Sequence, residues 1–197
     1  MPRIAPVPMG EIDAKSRSII EAALAAGTIG HTEYAQTLAH SPRLFPLIVG
    51  GIKAGPYAGA EKTFDPAFLE LLRIRSAQIG GCGPCSQSRY NKSLSEETIA
   101  CAVIDPTSLS PREQMALKLL AKMHGDYHSI DDQFFRELGA VFSIVEVVEL
   151  LAYVSGMVGG HRLLHVLDVL GEQEPVIGYD PAERAAAFGQ GAVADAA

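Results

Sequence analysis

Two cysteines three residues apart are the side chains of this sequence best suited to chemistry. Cys82 and Cys85 enclose a glycine and a proline and directly follow Gly80-Gly81. Because glycine readily adopts the left-handed conformation that ends a helix, we expect the dithiol in the first turn of a new helix. Backbone N–H groups and the positive end of the helix dipole stabilise a thiolate there. The spacing also allows a disulfide, so it favours redox chemistry.

The same spacing occurs in zinc sites and among buried core thiols. A zinc site needs two more ligands, and Cys101 stands without a second cysteine pair or a suitably spaced histidine pair. Inert core thiols are common, but they are unusual at the start of a helix. His161, His165 and Asp168 share one helical face. We interpret them as residues that form hydrogen bonds at an interface, in preference to metal ligands. We therefore predict redox cysteines, no metal ion and no cofactor.

Three further side chains are candidates for a role beside the dithiol. Arg89 lies four residues after Cys85, where its permanent charge would stabilise a thiolate or bind an anionic substrate. His124 and His128 flank a turn near a predicted helix end, where histidines often cap the last carbonyls. If that turn reaches Cys85, either histidine is a candidate base.

The elements that must position these residues are predicted to be helices. Apolar residues recur at three- and four-residue steps, and no long strand-like alternation is present. Asp65-Pro66 and Ser110-Pro111 are typical helix starts, the second with Glu113 completing a capping box. The sequence predicts an all-α bundle of eight or nine helices. The tetrapeptide around the cysteines also resembles the thioredoxin site, but that fold needs a strand where this chain has a helical pattern.

Composition excludes several classes of function. Sixteen Lys and Arg residues against 23 Asp and Glu residues give a net charge of −7, so we expect no nucleic acid partner. The apolar segment 144–160 contains Glu146 and Glu149, which favours a buried helix over a membrane span. The first residues lack the continuous apolar stretch of an export signal, and cysteines are few. We therefore expect a cytoplasmic protein without a membrane partner.

The 197 residues suit one domain. We predict a single domain over residues 1–178, with its core at about 44–170. The proline-rich residues 1–10 and the tail 179–197 are expected to fray or to drape over a neighbour. The glycine-rich segment 50–62 is the candidate mobile loop near the site.

The sequence resembles the superfamily of carboxymuconolactone decarboxylases and AhpD-like alkyl hydroperoxidases over about residues 44–170. The likeness rests on Phe64-Asp65-Pro66, Glu70-Leu71-Leu72-Arg73-Ile74-Arg75, Gly81-Cys82-Gly83-Pro84-Cys85, the helix start at Leu109–Glu113 and the helix at 144–157. The redox branch of that superfamily has a glutamate twelve residues before the first cysteine. Glu70 occupies this position.

The resemblance implies an AhpD-like bundle that assembles as a homotrimer or homohexamer. It assigns the peroxidatic role to Cys85, which a hydroperoxide oxidises, and the resolving role to Cys82. It implies a peroxiredoxin-type antioxidant enzyme, whose disulfide a thiol reductant such as a lipoyl-bearing protein reduces. The family has a relay histidine where this chain has Arg89, and arginine cannot shuttle a proton. Glu70 would then act alone or with His124 or His128.

Other functions stay open at this stage. The dithiol suits thiol–disulfide exchange with a disulfide substrate as well as peroxide reduction. A helical oligomer that binds a ligand or senses redox state without catalysis is the alternative from another class. A cofactor-free lyase like the decarboxylase branch is a further alternative, although that branch does not use the paired cysteines.

Overall fold

A computed structural model describes residues 2–25, 31–46, 60, 63–91 and 93–169. These residues contain eight α-helices and no β-strand, which confirms the all-α prediction. The predicted tail 179–197 lies outside the described residues, as does the candidate loop 50–62 apart from residue 60. The helices are α1 (Ala14–Ala25), α2 (Glu33–Leu38), α3 (Pro66–Gly80), α4 (Gly83–Gln87), α5 (Glu96–Ile104), α6 (Pro111–His124), α7 (Asp132–Gly139) and α8 (Ile144–Leu167).

The starts of the long helices follow the local sequence signals. The carboxylate of Asp65 accepts a hydrogen bond from the N–H of Ala67 at the start of α3. Ser110 and Glu113 form the predicted capping box at the start of α6. Each arrangement satisfies backbone donors that have no partner within the helix. The start of each helix, α3 and α6, is therefore set by residues that lie within one turn of that start.

The main core lies where α3, α6 and α8 pack together. Several of its leucines are completely buried, and each such side chain contributes roughly 2 kcal/mol of hydrophobic stabilisation. The hydroxyl of Tyr153 in α8 donates to the carbonyl of Leu69 in α3 over 3.0 Å. The fully buried members include Leu71, Leu72, Ile74, Leu119, Leu120, Leu138, Leu150, Val154 and Met157. This core buries one side of α3, and α3 leads directly to the dithiol.

Helix α8 buries one face and exposes apolar side chains on another. Ile144, Val147 and Val148 recur at helical spacing, but Ile144 and Val148 are 85% and 61% exposed. Val147 and Leu150 face the core. Because α8 carries apolar residues on nearly all sides, periodicity alone did not identify the buried face. Among the described residues α8 alone is long and apolar enough to span a membrane, a property that core helices share.

The N-terminal segment packs against its own chain. The backbone N–H and the guanidinium of Arg3 donate to the carbonyls of Leu167 and Val166 at the end of α8. The side-chain amide of Gln36 in α2 donates to the carbonyl of Val7. Beneath this segment lies a second, smaller apolar cluster formed by Ile12, Ile20, Leu38, Ala39 and Phe45. The described part of the predicted arm is thus tied down by hydrogen bonds.

Candidate functional site

A sharp turn after α3 places the two cysteines at the start of α4. Gly81 has φ 74°, a left-handed conformation in which a side chain would be strained. The N–H of Cys82 donates to the carbonyl of Ala77 over 3.0 Å. Cys82 is the N-cap of α4, and Cys85 is the third residue of this helix. The break predicted from Gly80-Gly81 is confirmed, and it folds α4 back against α3.

The two sulfurs are joined in a disulfide, with a Cα–Cα distance of 5.3 Å. Cys82 is buried, at 5% exposure, whereas Cys85 is half-buried and is the more accessible residue of the pair. Both thiols are used in the bond, so the pair does not ligate a metal in this state. The third cysteine, Cys101, is a free, half-buried thiol in α5. The arrangement is that of an oxidised dithiol with one accessible sulfur.

Glu70 lies beneath the dithiol helix in a buried ion pair. Its two carboxylate oxygens accept hydrogen bonds from Nε and Nη2 of Arg73, over 2.7 and 2.8 Å. Oxygen Oε1 also accepts the backbone N–H of Tyr90 over 2.7 Å. Glu70 is 4% exposed and Arg73 is 7% exposed. The carboxylate is thus held by three donors, and none of them belongs to a cysteine.

Arg73 connects this carboxylate to the dithiol helix. Its Nη1 donates to the carbonyl of Cys85, and its Nη2 donates to the carbonyl of Ser88, both over 2.7 Å. The ring of Tyr90 covers the guanidinium at 4.2 Å. Burial opposes the charge, but the hydrogen bond and the charge of Glu70 outweigh it and raise the pKa of Arg73. Arg73 therefore stays cationic at every working pH.

Arg89 lies beyond the end of α4 and does not continue its helical stripe. The helix ends at Gln87, and Ser88 is extended. Nη1 of Arg89 donates to the carbonyls of Ser86 and Ser88, over 2.8 and 3.0 Å. Its other nitrogens pair with exposed Glu96, whose pKa this hydrogen bond lowers. The guanidinium thus caps the end of α4, and its role toward a thiolate or substrate stays a prediction.

A buried serine joins two histidines below the Gly80-Gly81 turn. The hydroxyl of Ser76 lies 2.9 Å from Nε2 of His124 and 2.9 Å from Nδ1 of His161. These residues come from α3, α6 and α8, respectively. Burial, followed by the charges of nearby arginines, lowers the pKa of His124. Burial also lowers the pKa of His161, to about 3, so both rings are neutral near pH 7.

The two candidate bases, His124 and His128, and the nearby His165 differ in their surroundings. The ring of His124 turns toward α3, and its own backbone carbonyl accepts a hydrogen bond from Arg162. His128 is exposed in a 3₁₀ turn and stacks on Tyr127. Nδ1 of His165 lies 3.3 Å from the carbonyl of Gly81. The described hydrogen bonds connect neither candidate base, His124 nor His128, to Cys85.

Two residues at the centre of this arrangement were not identified from the sequence. Arg73 is one turn after Glu70, a spacing typical of ion pairs on a helix, and this signal was available. Ser76 carried no signal, because its partners come from helices 48 and 85 residues away in sequence. Within the described residues no group of three or more histidine, cysteine or acidic side chains forms a metal site, and His161 is bonded to Ser76.

Comparisons with known proteins establish the fold. No family model and no curated protein matches the chain. A crystal structure of an Agrobacterium tumefaciens protein of unknown function, assigned provisionally as the antioxidant defence protein AhpD, matches with a TM-score of 0.53. The two chains are 22% identical, and the match covers 70% of this chain and 94% of the other. The chain therefore has the helical fold of the AhpD-like proteins.

Proposed function

We propose that the protein is a dithiol oxidoreductase that reduces hydroperoxides, with Cys85 as the peroxidatic cysteine and Cys82 as the resolving cysteine. The observation that carries this proposal is the Cys82–Cys85 disulfide at the start of α4, with Cys85 the more accessible residue. A peroxidatic sulfur must meet a substrate from solvent. A resolving sulfur needs only to reach its partner, which suits the buried Cys82.

The proposed cycle balances with a hydroperoxide and a dithiol reductant. The thiolate of Cys85 attacks the terminal peroxide oxygen, the O–O bond breaks, and the alkoxide takes a proton from solvent and leaves as an alcohol. The thiol of Cys82 then displaces water from the sulfenic acid, which forms the disulfide. An external dithiol, such as a lipoyl group on a partner protein, is oxidised as it reduces this disulfide and restores both thiols.

The residues around the dithiol support this cycle in different ways. Backbone N–H groups at the start of α4 favour the Cys85 thiolate. Glu70 is held by Arg73 and Tyr90, so we assign it a positioning role and not direct contact with the sulfur. Arg89, beyond the end of the same helix, is proposed to attract an anionic substrate. His124 and His128 are assigned no step, since no hydrogen bond in the described part of the chain links either ring to the dithiol.

We propose that the protein acts as a homotrimer or homohexamer in the cytoplasm. Exposed apolar side chains at the start of α8, namely Ile144, Val145 and Val148, support self-association because burying them removes apolar area from water. The net charge of −7 supports a small-molecule substrate over a nucleic acid. A metal or cofactor has no part in the proposed cycle.

Stopped-flow consumption of an organic hydroperoxide by the reduced protein tests the proposal. Cys85→Ser is expected to abolish consumption, whereas Cys82→Ser is expected to consume one equivalent and to accumulate a sulfenic acid that a sulfenate-specific reagent traps. Cys101→Ser is the matched control and should react like the wild type. Consumption that survives in Cys85→Ser would rule out the assigned chemistry. A wild type that ignores peroxide but exchanges with dithiols would instead indicate a disulfide oxidoreductase.

A separate experiment tests the effect of Arg89, which stands where the family has a relay histidine. Arg89→His places an imidazole four residues after Cys85. A faster peroxide reaction in this variant would indicate that the chain lacks a proton relay that the histidine restores. An unchanged rate would indicate that the proposed cycle does not need a relay.

The alternative function is a helical oligomer that binds a ligand without catalysis. Thiols of ordinary acidity at Cys82 and Cys85, with no reversible disulfide between them, would favour this alternative.

A further inference from the structure

Arg73 makes several directed contacts although its side chain is buried. It donates two hydrogen bonds to Glu70, one to the carbonyl of Cys85 and one to the carbonyl of Ser88. The ring of Tyr90 covers its plane. The fork geometry of a guanidinium allows all of these bonds at once, which the single point charge of a lysine does not. The side chain is therefore fixed in orientation between α3 and the dithiol helix.

The charges of this ion pair are arranged with the positive end toward the dithiol. Nη1 of Arg73 lies 2.7 Å from the carbonyl oxygen of Cys85. Standard covalent dimensions then place Sγ of Cys85 within about 8 Å of that nitrogen. The carboxylate of Glu70 binds the guanidinium through Nε and Nη2, not through Nη1, and its remaining contact is the N–H of Tyr90. The cation is thus the member of the pair that touches Cys85.

We infer that Arg73 is a positioning residue of the dithiol, which anchors the backbone of Cys85 and favours the Cys85 thiolate, and that Glu70 acts on the dithiol through Arg73. The inference rests on the proposed function, since it concerns the same pair of cysteines. A carboxylate that accepts three hydrogen bonds holds a cation in place. It is poorly arranged to collect a proton from a thiol, because none of its three donors belongs to a cysteine.

The two charges should change the acidity of the Cys85 thiol in opposite directions. A unit charge about 8 Å away, at an effective dielectric constant near 20, shifts a pKa by about 1.5 pH units. Arg73→Met removes the cation and leaves the anion, so the pKa of Cys85 should rise by about 1.5 pH units. Glu70→Gln removes the anion and keeps an isosteric acceptor, so this pKa should fall by a smaller amount.

The measurement is the alkylation rate of Cys85 against pH in the reduced full-length protein. Mass spectrometry of the peptide separates Cys85 from Cys82 and Cys101. Arg73→Lys tests whether charge alone is sufficient: it should keep the pKa of Cys85 near the wild-type value but slow disulfide formation, because lysine cannot make the fork contacts. Arg75→Met is the matched control, since Arg75 lies on the same helix and contacts only Gln78 among the described hydrogen bonds.

The outcomes separate this inference from the proposed function. Opposite shifts in Arg73→Met and Glu70→Gln, with a smaller change in Arg75→Met, support the inference even if no form of the protein consumes a hydroperoxide. Shifts in the same direction, or no shift in either variant, overturn it. If Arg73→Met does not fold, Glu70→Gln and Arg73→Lys still decide. A Glu70→Gln protein with unchanged Cys85 acidity but slower peroxide reduction would restore Glu70 as a proton acceptor and also overturn the inference.

Discussion

Acidification is expected to destabilise the protein through His161, well above the pH at which carboxylates titrate. His161 is 7% exposed, and its Nδ1 bonds to the hydroxyl of Ser76, which also bonds to His124. A hydroxyl donates one proton and accepts others, so one neutral ring donates to it and the other accepts from it. Protonation of both rings would leave two donors and no acceptor for the hydroxyl proton. The buried arrangement therefore requires at least one neutral ring, and burial favours the neutral form of His161 by lowering its pKa.

The size of the effect follows from the two protonation equilibria. Burial, with the charge of Arg73 second, lowers the pKa of His161 from 6.5 to about 3. Below about pH 6.5 the unfolded chain binds a proton at this residue that the folded chain does not bind. Stability therefore rises with pH, and each pH unit below 6.5 costs about 1.4 kcal/mol. By about pH 5 the loss reaches roughly 2 kcal/mol, a large fraction of the stability of a typical domain.

Urea unfolding of the oxidised protein, followed by circular dichroism between about pH 7.5 and pH 5, measures this loss. His161→Asn keeps a polar atom near the position of Nδ1 but does not titrate. The variant should be less stable at neutral pH, and its disadvantage should shrink by roughly 2 kcal/mol as the pH falls to 5. His128→Asn, at an exposed histidine, is the control and should follow the wild type. Parallel curves for wild type and His161→Asn would refute the reasoning.

Two further predictions concern the packing around the site and a surface ion pair. Gly80→Ala places a Cβ 3.0 Å from Cβ of His161, an atom that is attached to the backbone of α8 and cannot rotate away. The overpacking should cost about 1–3 kcal/mol and exceed the helix-propensity gain of about 1 kcal/mol, so the variant should be less stable than the wild type. Gly139→Ala, also at a helix end but with open space around it, should be neutral or stabilising when the thermal unfolding of both variants is compared with the wild type. The Arg112 hydrogen bond, followed by contacts from Ser143, lowers the pKa of Glu146 to about 2. The stability from this pair is present above pH 4.5 and is lost toward pH 2; Arg112→Met should reduce that acid dependence by less than about 1 kcal/mol, because the pair is partly exposed.

The features predicted correctly from the sequence depend on neighbours along the chain. The helix break at Gly80-Gly81 needs only the conformational freedom of glycine, and the capping box at Ser110 needs only residues within one turn. The position of the dithiol at the start of α4 follows directly from that break. Local signals of this kind survive folding, because tertiary packing rarely moves a strong cap or a glycine stop.

The features that were missed depend on which face of a helix meets which neighbour. Helix α3 buries Glu70, Arg73 and Ser76, but only Glu70 was identified as a site residue from the sequence. Arg89 was expected to act on the thiolate from four residues after Cys85, but α4 ends at Gln87, before it. An i, i+3 pair can be recognised in a sequence, but whether it lies on the surface or in the core depends on the packing of α6 and α8.

The buried polar residues of α3 lie on a diagonal that serves the dithiol more than the stability of the bundle. Glu70, Arg73 and Ser76 are three residues apart, so successive side chains advance by about 60° around the helix. Glu70 reaches the backbone of Tyr90 beyond the end of α4, Arg73 reaches Cys85 in α4, and Ser76 reaches α6 and α8. Buried ion pairs contribute little net stability, and apolar replacements of similar size are often neutral or stabilising.

We therefore expect the double variant Glu70→Leu/Arg73→Met to unfold at a urea concentration equal to or above that of the wild type. The same variant should close the Cys82–Cys85 disulfide more slowly, because nothing then anchors the carbonyl of Cys85; a large loss of stability with unchanged closure would show that the pair serves the fold and not the site.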